Sequence, residues 1–407
     1  MMLPAKPARL AHFAMAAVAL LVLSACGGGD DSPVSTVQPF KTLSNGQPLV
    51  IGHRGASGYL PEHTLEAYGR AIEMGADFVE PDLVVTKDGV LIARHEPNIT
   101  STTNVSTLTK FASRKTTKKV DGVDETGWFA SDFTLAEIKE LGALITDAER
   151  PQQFNGLYQI PTLQEIVDLV KARRVSSGRD IGIYPETKHP TFHRALGLGI
   201  EDRLIASLNA AGWNSRSAPV LVQSFEPGSL KEMKVKGLTT RMVQLIDADD
   251  YDLKTGKLSY AAPYDRPYDW AVNGDTRLFS AMVTPAGLAE IKTYADGIGP
   301  WKPYIVPIKA TLDSAGNIVD RNGDGKRDYN DASSQSATSL IDDAHKAGLF
   351  VHAYTFRSEA RRLAFDYNKD PKVEYLQFYR LGLDGLFSDF PDTALQARKD
   401  YLKELGR

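Results

Sequence analysis

From Pro48 onward, apolar runs of strand length alternate with segments patterned as amphipathic helices. This alternation leaves few folds open. Consecutive parallel strands need a crossover of a dozen or more residues, and a helical crossover packs back on its sheet with one hand. Strand-like runs occur at 49–51, 78–79, 91–93, 181–183, 220–222, 242–246, 305–308, 350–352 and 386–387. Helix-like runs occur at 63–74 (stopped by Gly75), 163–174, 204–211, 228–235, 285–294, 337–347, 373–381 and 393–402. In the second of these, Leu163, Ile166, Val167 and Val170 share one face. The count is close to eight strand–helix units and predicts a TIM (β/α)8 barrel of 47–407, with insertions on its rim. The insertions are expected at 98–155, rich in Thr, Ser and Lys; at 247–276, rich in Tyr and Asp; and at 310–337. Rim insertions are functional candidates because long structureless loops are otherwise uncommon.

The first 25 residues read as a leader rather than as fold. Lys6 and Arg9 precede an apolar stretch, 13–23, too short to span a membrane comfortably. It ends in Leu23-Ser24-Ala25-Cys26, which resembles a bacterial lipobox with the chain's sole cysteine at the lipidation position. This predicts a signal peptide over 1–25, a lipid on Cys26, a flexible Gly/Ser/Asp/Pro-rich tether over 26–46, and a place in the bacterial envelope, facing the periplasm or the surface. Gly27 after the cysteine favours the outer membrane over the inner. A single cysteine permits no disulfide within the chain. Charge is nearly balanced, with 47 Lys and Arg against 51 Asp and Glu, which argues against a nucleic-acid partner held through its phosphates. Composition says nothing about oligomeric state.

Polar residues follow several of the strand-like runs, where α/β barrels keep their chemistry. His53-Arg54-Gly55 follows the first, Glu80-Pro81-Asp82 the second and His95-Glu96 the third. Two histidines suit acid–base work near neutrality. Glu80 and Asp82, two residues apart on a strand, point the same way and can reach one hard cation. An arginine such as Arg54 grips a phosphate through a planar fork.

Taken together, His53-Arg54-Gly55, Pro61-Glu62-His63-Thr64, Glu80-x-Asp82 and His95 resemble the signature of the glycerophosphodiester phosphodiesterase family. One departure is Glu96, where many members carry Asp. The resemblance extends over nearly all of the mature chain and implies the same barrel. It further implies hydrolysis of small glycerophosphodiesters to sn-glycerol 3-phosphate and an alcohol, through a cyclic phosphate, with His53 and His95 as an acid–base pair whose individual roles stay open. Glu80, Asp82 and the later Glu186 correspond to ligands of a divalent cation, Ca²⁺ or Mg²⁺. Lys188 corresponds to a phosphate-binding lysine beside Arg54. The 98–155 insertion is expected over the barrel mouth. Glu62 is expected near the metal or orienting a group that meets it, as a possible part of the substrate pocket; Gln223 is expected at the barrel mouth, and Phe225 with Tyr354 or Phe356 as an apolar wall beside the glycerol. His63 reads as mainly structural; the last strand also reads as structural, with Asp389 in it a weaker site candidate. Related barrels act on lysophospholipids or sphingomyelin-type lipids, so a phospholipase D-like reading stays open. So does a third, a surface-binding lipoprotein on a barrel scaffold.

A separate run, Asp320-Arg321-Asn322-Gly323-Asp324-Gly325-Lys326-Arg327-Asp328-Tyr329-Asn330-Asp331, follows the EF-hand loop pattern. Asp320, Asn322, Asp324, the Lys326 carbonyl, Asp328 and Asp331 would hold a second, structural Ca²⁺. Arg327 at the eighth position and Asp331 rather than Glu at the twelfth depart from the pattern.

Overall fold

A computed structural model describes residues 37–407. The leader, the lipobox cysteine Cys26 and the tether as far as residue 36 lie outside the described residues. Residues 37–46, expected as free tether, are docked on the barrel. Gln38 donates its N–H to the Leu405 carbonyl, Leu43 N–H donates to Asp384 at 2.7 Å, and Phe40 packs on Tyr401 under the Arg407 guanidinium.

Eight parallel strands close a barrel. In chain order they are Leu49–Gly52; Phe78–Val79 continuing as Asp82–Val85; Gly182–Ile183 continuing as Glu186–Thr187; Leu221–Ser224; Arg241–Ile246; Gly297–Pro300; Phe350–Phe356; and Gly385–Ser388. Each pairs with the next, and the eighth pairs with the first, Ile51 against Phe387. The second and third strands are interrupted at Glu80-Pro81 and Tyr184-Pro185. Proline has no N–H for the ladder, so both strands break just before Asp82 and Glu186, with Glu80 in the first break.

The strands bury both faces, as a helix-wrapped barrel requires. Ile51, Phe78, Tyr184, Leu221, Val243 and Phe387 fill the interior. Val50, Val79, Val222, Ile298, Val351 and Leu386 face outward onto the helices. The helices are well signalled. Leu65–Met74 starts at Thr64, whose hydroxyl accepts from Ala67 N–H, and stops at Gly75 with φ 108°. Leu163–Ser177 starts in a Thr162/Glu165 capping box and buries Leu163, Ile166, Val167 and Val170.

Two sequence expectations need correction. Residues 91–93 are not a barrel strand: Leu91–Ala93 returns antiparallel to Asp82–Val85. Only the turn 86–90 separates the two, far short of a parallel crossover. Residues 305–308 are not the sixth strand either. That strand is Gly297–Pro300, and Ile308–Ala310 belongs to a rim hairpin with Ala332–Ser334. A side chain at Gly297 would meet the Phe350 ring at 2.2 Å, and one at Gly299 would meet Leu245 at 2.6 Å. Close packing thus demands glycines that carry no strand signal.

The 98–155 insertion has its own small core of Ile99, Val105, Phe111, Trp128, Phe133 and Ile138. It carries a hairpin, Thr116–Val120 with Val123–Gly127, turned by Asp121-Gly122 at φ 45° and 87°. Two consecutive positive φ values are what a two-residue type I′ hairpin turn requires.

Candidate active site

The carboxyl ends of the strands open into a cavity of about 490 Å³ lined by His53, Arg54, Glu80, Asp82, His95, Glu186, Lys188, Gln223, Phe225 and Tyr354, among others. Strand register builds its floor. Asp82 sits opposite Glu186, and Glu186 opposite Gln223, so three neighbouring strands present one row of side chains. Glu80, across the Pro81 break, joins them. Oxygens of Glu80, Asp82 and Glu186 lie within 4.8 Å of one another, all three residues buried. Gln223 donates to Glu80 at 2.8 Å.

Burial, Asp82 and Glu186 raise the pKa of Glu80, and burial together with Asp82 raises Glu186 to about 8 despite Lys188 at 3.0 Å. Asp82 is held low, against burial, by His63 and the cations. Asp82 Oδ1 and Gln223 Oε1 find no hydrogen-bond donor. Buried carboxylates that must keep protons for want of positive charge, beside orphaned oxygens, fit a hard divalent cation.

His63 and Glu62 act from behind this floor. Both Arg54 (φ 56°) and His63 (φ 57°) adopt the left-handed conformation, a strained state for such side chains that concentrates at functional sites. His63, fully buried, bridges Asp82 (3.0 Å) and Tyr68 (2.7 Å). Glu62 holds Arg54 rather than lining the cavity itself. It accepts from Arg54 Nη1 at 2.9 Å, and Arg54, His63 and Arg94 bring it to about 2 against the effect of burial. The fully buried Arg94 donates to the carbonyls of Glu62, His63, Ala93 and Thr102, pinning the turn that carries these residues.

The two histidines are held alike. His53 Nδ1 lies 2.5 Å from Asp389 Oδ1, and His95 Nδ1 lies 2.6 Å from Glu96 Oε1. Burial lowers each imidazole to about 4, with Arg54 adding to the effect at both. A neutral ring beside a carboxylate donates its Nδ1–H and leaves Nε2 to accept. Nε2 of His53 faces Glu80 at 3.9 Å, and Nε2 of His95 accepts from Lys188 at 3.3 Å.

Each carboxylate is itself clamped. Arg150 and Arg357 donate to Asp389 Oδ2 at 2.5 and 3.0 Å. His189 Nε2 donates to Glu96 Oε2 at 2.9 Å, and its Nδ1 to Asp121 Oδ2 at 2.7 Å. These bonds outweigh burial and raise His189 to about 10, so it is cationic.

Phe225 and Tyr354 meet edge to face at 6.0 Å and form the expected apolar wall, with Lys188 Nζ 5.4 Å from the Phe225 ring centroid. Phe356 is excluded from it, being buried against Tyr375 and Phe378. Glu226 also borders the cavity. It is 3% exposed and accepts from the Thr191 hydroxyl at 2.5 Å. Burial raises it from 4.5 to about 8, with Asp269 and Asp121 adding to the shift. Folded Glu226 therefore holds its proton in a range where unfolded Glu226 has lost it. Its contribution is full below pH 4.5 and is lost as pH rises toward 8. Glu226→Gln is expected to flatten the fall in melting temperature across that window. Parallel pH profiles for variant and parent would refute this assignment.

The sequence model of the glycerophosphoryl diester phosphodiesterase family matches residues 53–393. The chain belongs to this family. It is 35% identical over 363 residues to a glycerophosphodiester phosphodiesterase of Arabidopsis thaliana, covering 86% of each chain. It is 28% identical over 413 residues to one from Haemophilus influenzae, covering 96% of this chain and 99% of the relative. A solved Oleispira antarctica phosphodiesterase in complex with the product sn-glycerol-3-phosphate shares the fold. The TM-score is 0.52 at 18% identity, covering 88% of this chain and 99% of that one.

In this family member the expected second calcium loop, 320–331, lies on the barrel rim beside the Ile308–Ala310 and Ala332–Ser334 hairpin. Among the described residues, Glu80, Asp82 and Glu186 are the only set of three or more carboxylate, imidazole or thiol ligands drawn within 4.8 Å. The carboxylates of the loop accept from its own backbone N–H groups. Asp320 accepts from Gly323 and Gly325, Asp324 from Lys326, Asp328 from Asn330, and Asp331 from Arg321 and Asp328. Sequence reasoning undervalued Asp389 and passed over Arg150, Asp121 and His189. The Asp121-Gly122 hairpin signal was there to be read; the ion pairs across the fold were not.

Proposed function

We propose that the chain hydrolyses small glycerophosphodiesters to sn-glycerol 3-phosphate and an alcohol. One observation carries this reading: two histidines each held by a carboxylate, two cations and a buried three-carboxylate cluster converge on one cavity in a member of this family. Glu80, Asp82 and Glu186 would hold Ca²⁺ or Mg²⁺, which when bound masks phosphate charge and eases attack at phosphorus.

Arg54 and Lys188 bind the phosphate oxygens, and the wall of Phe225 and Tyr354 covers the carbon skeleton. The anionic phosphate raises the pKa of the imidazole beside it, so one histidine enters the complex protonated. A neighbouring glycerol hydroxyl forms the new P–O bond, and the other histidine takes its proton at Nε2. The P–O bond to the alcohol breaks, and the protonated histidine supplies the leaving oxygen with its proton. Water then opens the cyclic phosphate with the two roles exchanged.

The test is coupled detection of glycerol 3-phosphate from several glycerophosphodiesters, with Ca²⁺ and Mg²⁺ compared and products followed by phosphorus NMR. Glycerol 3-phosphate is expected from more than one head group. If no diester yields it, or the products stop at a cyclic phosphate, the phospholipase D-like reading replaces this one.

A further inference from the structure

The 98–155 insertion does more than border the mouth of the cavity. We infer that it positions both imidazoles of the site, Asp121 acting on His95 through His189 and Glu96, and Arg150 acting on His53 through Asp389. The inference rests on the proposed acid–base role of those histidines.

Two independent chains of contact carry it. In the first, the Asp121-Gly122 turn lowers one carboxylate onto His189, 2.7 Å from Nδ1. The other ring nitrogen of His189 holds Glu96 Oε2 at 2.9 Å, and the remaining oxygen of Glu96 meets His95 Nδ1 at 2.6 Å. His189 itself sits at φ 45°, immediately before Pro190, so the backbone accepts a strained residue at this point. With both nitrogens bound, the His189 ring cannot flip without breaking a charged bond.

In the second chain, Arg150 spreads its guanidinium over three partners. It reaches Asp389 Oδ2 at 2.5 Å, Glu359 at 2.8 Å and the Ser57 carbonyl at 3.1 Å, and it stacks over Phe390. Asp389 in turn holds His53 at 2.5 Å. Neighbouring ion pairs from Arg361 to Asp147 and Glu149 fasten the same end of the insertion to the barrel rim. One lobe thus terminates both hydrogen-bond chains, and each chain fixes an Nδ1–H tautomer that leaves Nε2 toward the cavity.

The test uses the full chain with Asp121→Asn, Asp121→Glu, Arg150→Ala and Arg150→Lys. Asp124→Ala is the control, since Asp124 lies on the same hairpin, is exposed and pairs only with Lys119. Asp121→Asn and Arg150→Ala are each expected to lower kcat by roughly tenfold to a hundredfold, with KM for glycerophosphocholine changed less than about threefold. Asp121→Glu and Arg150→Lys should recover part of the loss, and Asp124→Ala should behave as the parent. Selective ¹⁵N-histidine NMR supplies a readout that needs no turnover. Asp121→Asn should shift His95, and Arg150→Ala should shift His53, away from the Nδ1–H form. Melting temperatures exclude global unfolding, and the isosteric Asn variant keeps the test open if Arg150→Ala does not fold. Unchanged tautomers and unchanged kcat in folded variants would overturn the inference. A parent inactive on every glycerophosphodiester would refute the proposed function alone, with the NMR still deciding the positioning role.

Discussion

His53→Ala and His95→Ala are each expected to lower kcat by about 10²- to 10⁴-fold, the usual worth of a positioned acid or base. The fold should survive both changes. Asp389 keeps Arg150 and Arg357 when His53 is removed, and Glu96 keeps His189 when His95 is removed, so neither carboxylate is left buried without a partner. Added imidazole should restore part of the lost rate, because the vacated space opens on the cavity. Wild-type turnover in either folded variant would remove that histidine from the mechanism.

Removal of the proposed divalent cation should cost as much or more. Several kcal/mol of charge stabilisation at the phosphate corresponds to about 10³-fold or more in rate. Chelation should abolish turnover, and Ca²⁺ or Mg²⁺ should restore it. The same cation should raise the melting temperature of the metal-free protein, since a ligand at 100 times its Kd adds about 2.7 kcal/mol. In Glu186→Gln that thermal shift should vanish, because one of the three converging carboxylates is gone. Full activity in rigorously metal-free protein would show that Glu80, Asp82 and Glu186 do something else.

Much of the barrel was legible because its strands and helices carry local signals: apolar runs, the shared apolar face of Leu163, Ile166, Val167 and Val170, and the glycine stop at Gly75. The sixth strand was not. Gly297 and Gly299 are dictated by the Phe350 and Leu245 side chains of adjacent strands, which no local window contains. The site divides in the same way. His53, Arg54, Glu80, Asp82, Glu186 and Lys188 lie in short motifs and meet in one cavity as expected. Their supports do not announce themselves. Arg150 reaches Asp389 across 239 residues, and His189 reaches Glu96 across 93. Glu62 and its partner Arg54, by contrast, are eight residues apart within the motif region.

The seam where the eighth strand meets the first has a temporal meaning. His53 is made early and Asp389 336 residues later, yet they share one hydrogen bond across that seam. Contacts of such long separation reward the chain only after a large loop-closure entropy has been met. A nascent or partly folded chain therefore carries the imidazole without the carboxylate that orients it. The bond that orients this imidazole can form only once the last strand has been made and the ring has closed.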